Sequence, residues 1–329
     1  MPTITPAGYS PKQADESMII NGFEVKPDAD LSGADLREAN LYGANLAGAN
    51  LTGANLTGAN LTGANLTGAN LADADLHEAN LTSADLHEAN FTGANLHIAK
   101  LTDATLYNAN LTSADFTRAN LRAANLRAAN LRVANLYSAN LHGADLREAN
   151  LRVANLYAAN LTDANLYAAN LTSANLHNTN LYAANLTDAN LIGADLTRAN
   201  LHSANLRDAN LRDANLRDAN LYAANLTDAN LIGADLYNTN LTDTIGQPLT
   251  IHGLASGSTT LSYTSTGWQL TIGCWKGTLD ELRELIAKNE DWPEAKGEEI
   301  TRRRPILQAA IALCEAHINT YPVEEETES

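Results

Sequence analysis

The chain has 329 residues, a net charge of −17 and 45% apolar residues of which few are aromatic (5% of the chain), so its interior must be narrow and filled mainly by Leu and Ala. Nucleic-acid affinity comes mainly from Lys and Arg displacing counterions, so this acidity disfavours direct duplex DNA binding, while it keeps a long molecule soluble. Cys274 and Cys314 lie forty residues apart without a CxxC pair, which leaves no disulfide framework or zinc site. No basic start with an apolar run opens the chain, and no stretch reaches the ~20 apolar residues of a bilayer span, so a cytoplasmic, non-membrane protein is expected.

Residues 1–29 are read as an N-terminal cap. Within MIINGFEV (18–25), Asn21-Gly22 between two apolar runs is a two-residue hairpin signal. From Leu31 to Leu241 every fifth residue is large and apolar, 43 in succession: 41 Leu, with Phe91 and Phe116. Two positions before each stands Ala, except at Thr179 and Thr239, and between them Asn or Asp, except at Lys100 and Thr105. Five residues at about 100° each overshoot a helical turn by ~140° and would scatter the Leu around a helix. A side-chain period of 2 would send successive Leu to opposite faces of a strand. The chain must therefore turn once per five residues, as a coil of short straight segments. Residues 131–137 (LRVANLY) recur at 151–157, and 181–196 at 221–236, offsets of 20 and 40 that fit four pentapeptides per coil. YAANLTDAN, at 157 and again at 182, has an offset of 25 that runs against it.

The A(D/N)LXX pattern, over about two thirds of the chain, resembles the pentapeptide-repeat family. The resemblance implies a mainly β, right-handed quadrilateral β-helix solenoid over residues 30–245, with Leu and the preceding small residue inward and the other three positions outward. Forty-three repeats then make nearly eleven coils, and at ~4.8 Å per coil a rod of roughly 50 Å. Leu136, Leu156, Phe91 and Phe116 would lie in its core. An inward charge such as Leu136→Asp should unfold neighbouring coils, visible in a thermal melt.

With twenty residues per coil, positions twenty apart share a surface column. Asp35, Asp75, Asp115, Asp195 and Asp235 fall in one column, Asp85 and Asp145 in the opposite one, and Asp188, Asp208 and Asp228 form a further acidic column. Arg118, Arg122, Arg127, Arg132, Arg147 and Arg152 make a basic girdle in which Arg132 and Arg152 should stack. From Asp30 to Asp243 there are 21 acidic and 12 basic residues: an acidic but mixed rod. Outward tyrosines (Tyr137 with Tyr157, Tyr182 with Tyr222) are candidate interface anchors, although Tyr, Thr and Arg also suit a pleated surface in their own right. His77 and His97 should be one coil apart, without the further ligands a metal site needs.

The repeat stops at Gly246-Gln247-Pro248, and 246–329 reads as a small α+β module. Short strands are expected over 249–254 and 260–273, with Trp268, Leu270 and Ile272 on one face. Thr278 and Glu281 form a capping box for a helix starting near 279 and ending before Trp292-Pro293. A last helix is expected from Pro305 to Ile318, burying Ile306, Ala310, Ile311 and Cys314, with Arg302, Arg303 and Arg304 just before it. This module also looks like the tails of phage- and prophage-encoded members of the family, and its apolar helices are candidates for pairing two chains or binding a partner.

Nothing resembles a nucleophile elbow, a P-loop or a metalloprotease helix, and no residue is nominated as catalytic, cofactor-binding or metal-ligating. The expected function is a non-enzymatic scaffold presenting Arg122, Arg127, Arg132, Arg152, Tyr137 and Tyr157 to a protein partner. The family resemblance also implies an alternative, a DNA mimic that binds gyrase or another DNA-binding protein, for which Asp188, Asp208 and Asp228 are the candidate contacts. A mimic wants a continuous negative field, which the Arg girdle interrupts. A structural spacer in a phage or prophage context is the third reading.

Overall fold

The computed structural model describes residues 18–231, 233–241, 244, 250–254, 257–264, 267–272, 275–288 and 298–320. The readings of residues 1–17, Gly246-Gln247-Pro248, Cys274 and Trp292-Pro293 fall outside them.

Strands β1 (Met18–Ile20) and β2 (Phe23–Val25) form an antiparallel hairpin with Met18 opposite Val25. Both turn residues have positive φ, 52° at Asn21 and 85° at Gly22, as a type I′ turn requires. Val25 is buried, Ile20 and Phe23 pack against the core, and Asn21 Nδ2 donates to the carbonyl of Asp35 at 3.0 Å. The hairpin is thereby tied to the first repeats.

From Asp30 to Asn220, each residue preceding a central Leu forms a parallel bridge to the residue twenty positions on. The coil therefore holds four pentapeptides, and the 25-residue offset of YAANLTDAN is a displacement by one coil plus one side. In a consensus repeat with a coil on either side, every backbone N–H finds its own acceptor, as buried backbone demands. In residues 50–54, Asn50 donates to Ala29 O (2.9 Å), Leu51 to Asn70 O (2.7 Å), Gly53 to Ala72 O (2.9 Å) and Ala54 to Leu51 O (3.0 Å). The remaining N–H, of Thr52, donates to the side-chain Oδ1 of Asn50 (3.2 Å). The Ala54 bond closes a β-turn whose third residue has φ +63°, the mark of a type II turn. The corresponding residue has φ between 53° and 71° in every repeat from Asp28 to Asn238. Every glycine of the repeat region occupies this position, where the missing Cβ removes the left-handed penalty.

Leu136, Leu156, Phe91 and Phe116 are wholly buried, as are nearly all central Leu and their Ala partners. The two Thr exceptions are inward as well. Thr179 Oγ1 donates to Leu156 O and Thr239 Oγ1 to Leu216 O, each at 2.7 Å, so neither hydroxyl is left unsatisfied in the core.

One expectation needs correcting: the Asn/Asp position is not simply outward. It is half-buried in most repeats, because its side-chain oxygen completes the turn while its amide reaches the coil before, as in Asn90 Nδ2 to Asn70 Oδ1 (2.9 Å).

In the C-terminal module, β3 (Thr250–Leu254), β4 (Gly257–Thr264), β5 (Gly267–Ile272) and β6 (Trp275–Gly277) form an antiparallel sheet in chain order. The stretch 260–273, read as short strands, divides between β4 and β5, with Leu261 opposite Leu270 and Thr264 opposite Gly267. A two-residue connection preserves the parity of an alternating pattern, which hides the break in the sequence. Helix α1 (Leu279–Ala287) starts at the predicted capping box, with Glu281 N donating to Thr278 Oγ1 (3.2 Å) and Thr278 N to Glu281 Oε2 (2.7 Å).

Helix α2 (Glu298–Thr320) is longer than expected and carries Pro305 in its interior. Pro305 cannot donate to the carbonyl four residues back, but burial of Leu307, Ala310, Ile311, Leu313 and Cys314 offsets that loss. Arg302, Arg303 and Arg304 accordingly lie within the helix, and Ile306 is only half-buried. Helix α2 packs against α1, which also touches β5. Burial pushes the Cys314 thiol up to about 12, which makes it a packing residue and not a nucleophile.

Candidate partner-binding surface

Because each coil repeats the last, residues twenty apart become neighbours along the rod, and side chains form columns. Tyr137 and Tyr157 stack with centroids 5.5 Å apart and planes 6° from parallel, and His177 extends the stack beyond Tyr157 at 5.2 Å and 5°. Tyr182 and Tyr222 do not touch each other directly: His202 sits between them, edge-on to both, at 5.1 and 5.0 Å. Sequence reading placed these tyrosines in their columns and missed the histidine rungs, although the twenty-residue spacing contains both. His77 and His97 are 5.0 Å apart, with Glu78 3.4 Å from His77. Among the described residues no group of three or more His, Cys, Asp or Glu is gathered for a metal ion.

Much of the apparent charge is already paired. Of the eleven arginines between Arg37 and Arg217, seven face a carboxylate: Arg37 with Asp35 (2.6 Å), Arg127 with Glu148 (3.0 Å), Arg147 with Asp145 (2.6 Å), Arg198 with Asp218 (3.9 Å), Arg207 with Asp208 (3.2 Å), Arg212 with Asp213 (3.3 Å) and Arg217 with Asp235 (3.2 Å). The Arg37 guanidinium holds the Asp35 carboxyl down to about 2, and Arg147 lowers Asp145 in the same way. In the acidic column, Asp208 meets Arg207, and a hydrogen bond to Asp188 pushes the Tyr167 phenol up; Asp228 is the next rung.

Arg118, Arg122, Arg132 and Arg152 are the four without a carboxylate within 4.0 Å among the described residues. The basic girdle therefore divides into paired members, Arg127 and Arg147, and unpaired ones. Nor is it one patch. Arg132 and Arg152 share a column, whereas Arg122 and Arg127 fall on two other corners of the coil.

One side of the rod differs from the rest. It runs between the corner at residues 132–133 and the corner at 137–138, and repeats one coil on at 152–153 and 157–158. Along the first corner lie Arg132, Val133, Arg152 and Val153. Along the second lie Ile98, Arg118, Tyr137 and Tyr157. Val133 (44% exposed), Val153 (46%) and Ile98 (39%) hold the left-handed turn position at φ 63°, 60° and 59°. They are the only β-branched residues at that position among the described repeats, and β-branched residues there are strained outliers. The sequence carried the signal, since Gly, Asp, Asn, Ser and Ala dominate this phase of the repeat. Recognising it requires knowing that the phase is left-handed.

The family model described as pentapeptide repeats (8 copies) matches nine stretches, most of them overlapping, between residues 28 and 243. Among solved structures, HetL, a pentapeptide repeat protein involved in heterocyst differentiation regulation from the cyanobacterium Nostoc sp. strain PCC 7120, is 37% identical with a TM-score of 0.57, over 63% of this chain and 89% of HetL. Rfr23, a pentapeptide repeat protein of the cyanobacterium Cyanothece 51142, is 41% identical with a TM-score of 0.24, over 29% of this chain and 59% of its own. A pentapeptide repeat protein of the Arabidopsis thaliana thylakoid lumen is 38% identical with a TM-score of 0.24, over 29% of this chain and 63% of its own. No curated protein matches the chain. Among the described residues no helix is long and apolar enough to cross a membrane.

Proposed function

This chain belongs to the pentapeptide-repeat family, whose members form right-handed quadrilateral β-helices and are generally structural or interaction proteins, and from that premise we propose that it is a non-enzymatic interaction scaffold. The rod of 30–245, flanked by the cap of 1–29 and the module of 246–329, presents fixed columns of side chains to a protein partner. The observation that carries this reading is the distribution of partners on the rod: most carboxylates near arginines are already engaged, while unpaired arginines stand beside exposed Tyr and Val. HetL, to which the chain is similar over 89% of HetL's length, is itself involved in heterocyst differentiation regulation, a role compatible with binding rather than turnover. Capture of partners by the full chain, with chemical cross-linking to map the sites, tests the reading; cross-links confined to the repeat surface and the C-terminal module are expected, and failure to retain any protein above a scrambled-surface control overturns it.

The second reading, mimicry of DNA toward gyrase or another DNA-binding protein, draws on the net charge of −17 and the column Asp188, Asp208, Asp228. Against it, Arg207, Arg212 and Arg217 each sit within 3.3 Å of a carboxylate in that same part of the rod, which interrupts the negative field a mimic needs. Gyrase supercoiling with the protein titrated in at two salt concentrations separates the readings. Inhibition that fades with salt and with charge reversal of the three Asp favours mimicry; no inhibition removes it. A spacer would bind in neither assay.

A further inference from the structure

Three features coincide on the side of the rod between residues 132–133 and 137–138. Three of the four arginines without a carboxylate partner, Arg118, Arg132 and Arg152, stand on its two corners. All three β-branched residues held at the left-handed turn position, Ile98, Val133 and Val153, stand on the same two corners. The Tyr137–Tyr157–His177 stack runs along one of them. An exposed Val in a left-handed turn is locally unfavourable and gains nothing from the core. The recurrence of LRVANLY at 131–137 and 151–157 sets Arg, Val and Tyr in two identical rungs, and the fold itself does not call for the exposed Val in either.

We infer that this side is the docking surface for an acidic amphipathic helix of a partner protein, lying along the rod axis. The inference rests on the scaffold reading above and names the partner's chemistry. Three arguments select that occupant. First, charge: the rod as a whole is acidic, with 21 acidic against 12 basic residues from Asp30 to Asp243. The column of Asp35, Asp75, Asp115, Asp195 and Asp235 runs along this same side, so an acidic segment is repelled along most of it; between the coils of Ile98 and Tyr157, Arg118, Arg132 and Arg152 outnumber the single acid Asp115, and that net positive stretch fixes the segment's position as well as its affinity.

Second, spacing: equivalent rungs repeat every ~4.8 Å along the axis. A helix presents residues of one face every three or four positions, a rise of about 4.5–6 Å, whereas a strand laid along the axis presents them every ~6.6 Å. Carboxylates one helical turn apart therefore reach Arg132 and Arg152 together. Third, the apolar rungs: Val133 and Val153 on one corner and Ile98 on the other offer exposed apolar contacts that flank the half-buried ladder residues Asn95, Asp115, Asn135 and Asn155, with Tyr137 and Tyr157 as rigid anchors. From the coil of Ile98 to that of Tyr157 is three coil steps, roughly 15 Å, the length of a helix of about ten residues.

The probe is a fluorescein-labelled helical peptide of fourteen residues with Glu along one stripe and Leu along the next, read by anisotropy against the full chain. Its Lys-for-Glu counterpart and a single-stranded RNA of fifteen nucleotides serve as competitors. Two variants separate charge from contact without touching the core: Arg132→Glu/Arg152→Glu, and Val133→Asn/Val153→Asn, the latter placing a residue that tolerates the left-handed turn. The acidic peptide should bind the native chain, weaken at least about tenfold in the charge-reversed variant and as salt rises, and weaken in the Asn variant at unchanged thermal stability. The Lys peptide should not compete. The assignment is overturned if the acidic peptide does not bind, if it binds both variants as well as the native chain, or if the RNA displaces it and binds more tightly. In partner capture by the full chain, a charge-reversed protein that retains all its partners overturns this side alone and leaves the scaffold standing. Loss of every partner by the native protein as well would refute the scaffold itself.

Discussion

Lys100 interrupts the Asn/Asp ladder, and replacing it with Asn isolates what that ladder contributes. In the consensus repeats the residue after the central Leu donates its N–H to the preceding Asn or Asp side chain, as Thr52 does to Asn50 (3.2 Å) and Thr82 to Asn80 (3.1 Å). Lys100 offers no acceptor to Thr102, yet the turn is otherwise intact: Ala104 N donates to Leu101 O at 3.1 Å and Asp103 N to Arg122 O at 3.0 Å. Lys100→Asn therefore introduces an acceptor into geometry that already exists. One net hydrogen bond to a half-buried N–H is worth about 1 kcal/mol, close to a fivefold change in a local opening equilibrium. Because repeat arrays open locally, the measurement is amide exchange at Thr102 together with urea unfolding. Lys100→Ala is the control, since it removes the charge without supplying an oxygen. Slower exchange at Thr102 in the Asn variant alone is expected. Unchanged exchange, or equal stabilisation by Ala, refutes the role assigned to the ladder.

Thr179→Ala restores the repeat consensus but removes the 2.7 Å bond to Leu156 O and a buried methyl, so it should destabilise by about 1–2 kcal/mol in thermal or urea unfolding; a neutral or stabilising effect would refute that reading. Asn55→Asp would stack a carboxylate between Asp35 and Asp75, an arrangement that occurs nowhere in the ladder columns. Repulsion raises the folded pKa of the new group above its unfolded value near about 3.9, so the destabilisation, about 1 kcal/mol, should appear as pH rises through the folded value and vanish below the unfolded one. Arg37→Ala should let the Asp35 carboxyl rise from about 2 toward its ordinary value in an NMR titration. Because native Asp35 is lowered in the fold, its contribution is present above the unfolded pKa and is lost as pH falls toward about 2.

The five-residue period, the four-sided coil and the identity of the inward residues were legible because one geometric unit recurs without insertion, so every constraint is stated dozens of times. The hairpin at Asn21-Gly22 and the capping box at Thr278 were legible because each is decided within a few residues. What escaped depended on pairings that the linear pattern does not display. The break between β4 and β5 preserves alternation. The interior placement of Pro305 depends on packing of α2 against α1, which outweighs a local helix-breaking signal. On the candidate surface, columns were predictable, but which arginines are neutralised was not. Arg127 reaches Glu148 and Arg217 reaches Asp235 across adjacent coils, whereas Arg132 and Arg152 have no carboxylate within 4.0 Å among the described residues, and side-chain pairing between neighbouring columns is a property of the folded rod.

The same turn chemistry bears on how the rod's acidity should be weighed. All 21 acidic residues between Asp30 and Asp243 occupy only two of the three outward positions of the repeat. At the ladder position, Asp substitutes for Asn because either oxygen can accept the turn's N–H, as Asp75 does from His77 at 3.1 Å. At the left-handed position, Asp is among the few non-Gly residues that tolerate positive φ, and Asp188, Asp208 and Asp228 all stand there at 56–58°. Acidity is thus what a long run of these turns produces when Asn, Gly and Asp are the residues that suit them, and the column of three Asp follows from backbone demands without a ligand to explain it. Ile98, Val133 and Val153 stand at the same left-handed position against its preference. A residue retained in spite of the local chemistry says more about binding than one the local chemistry favours, and that asymmetry directs the search for a partner to the side bearing these three residues rather than to the acidic column.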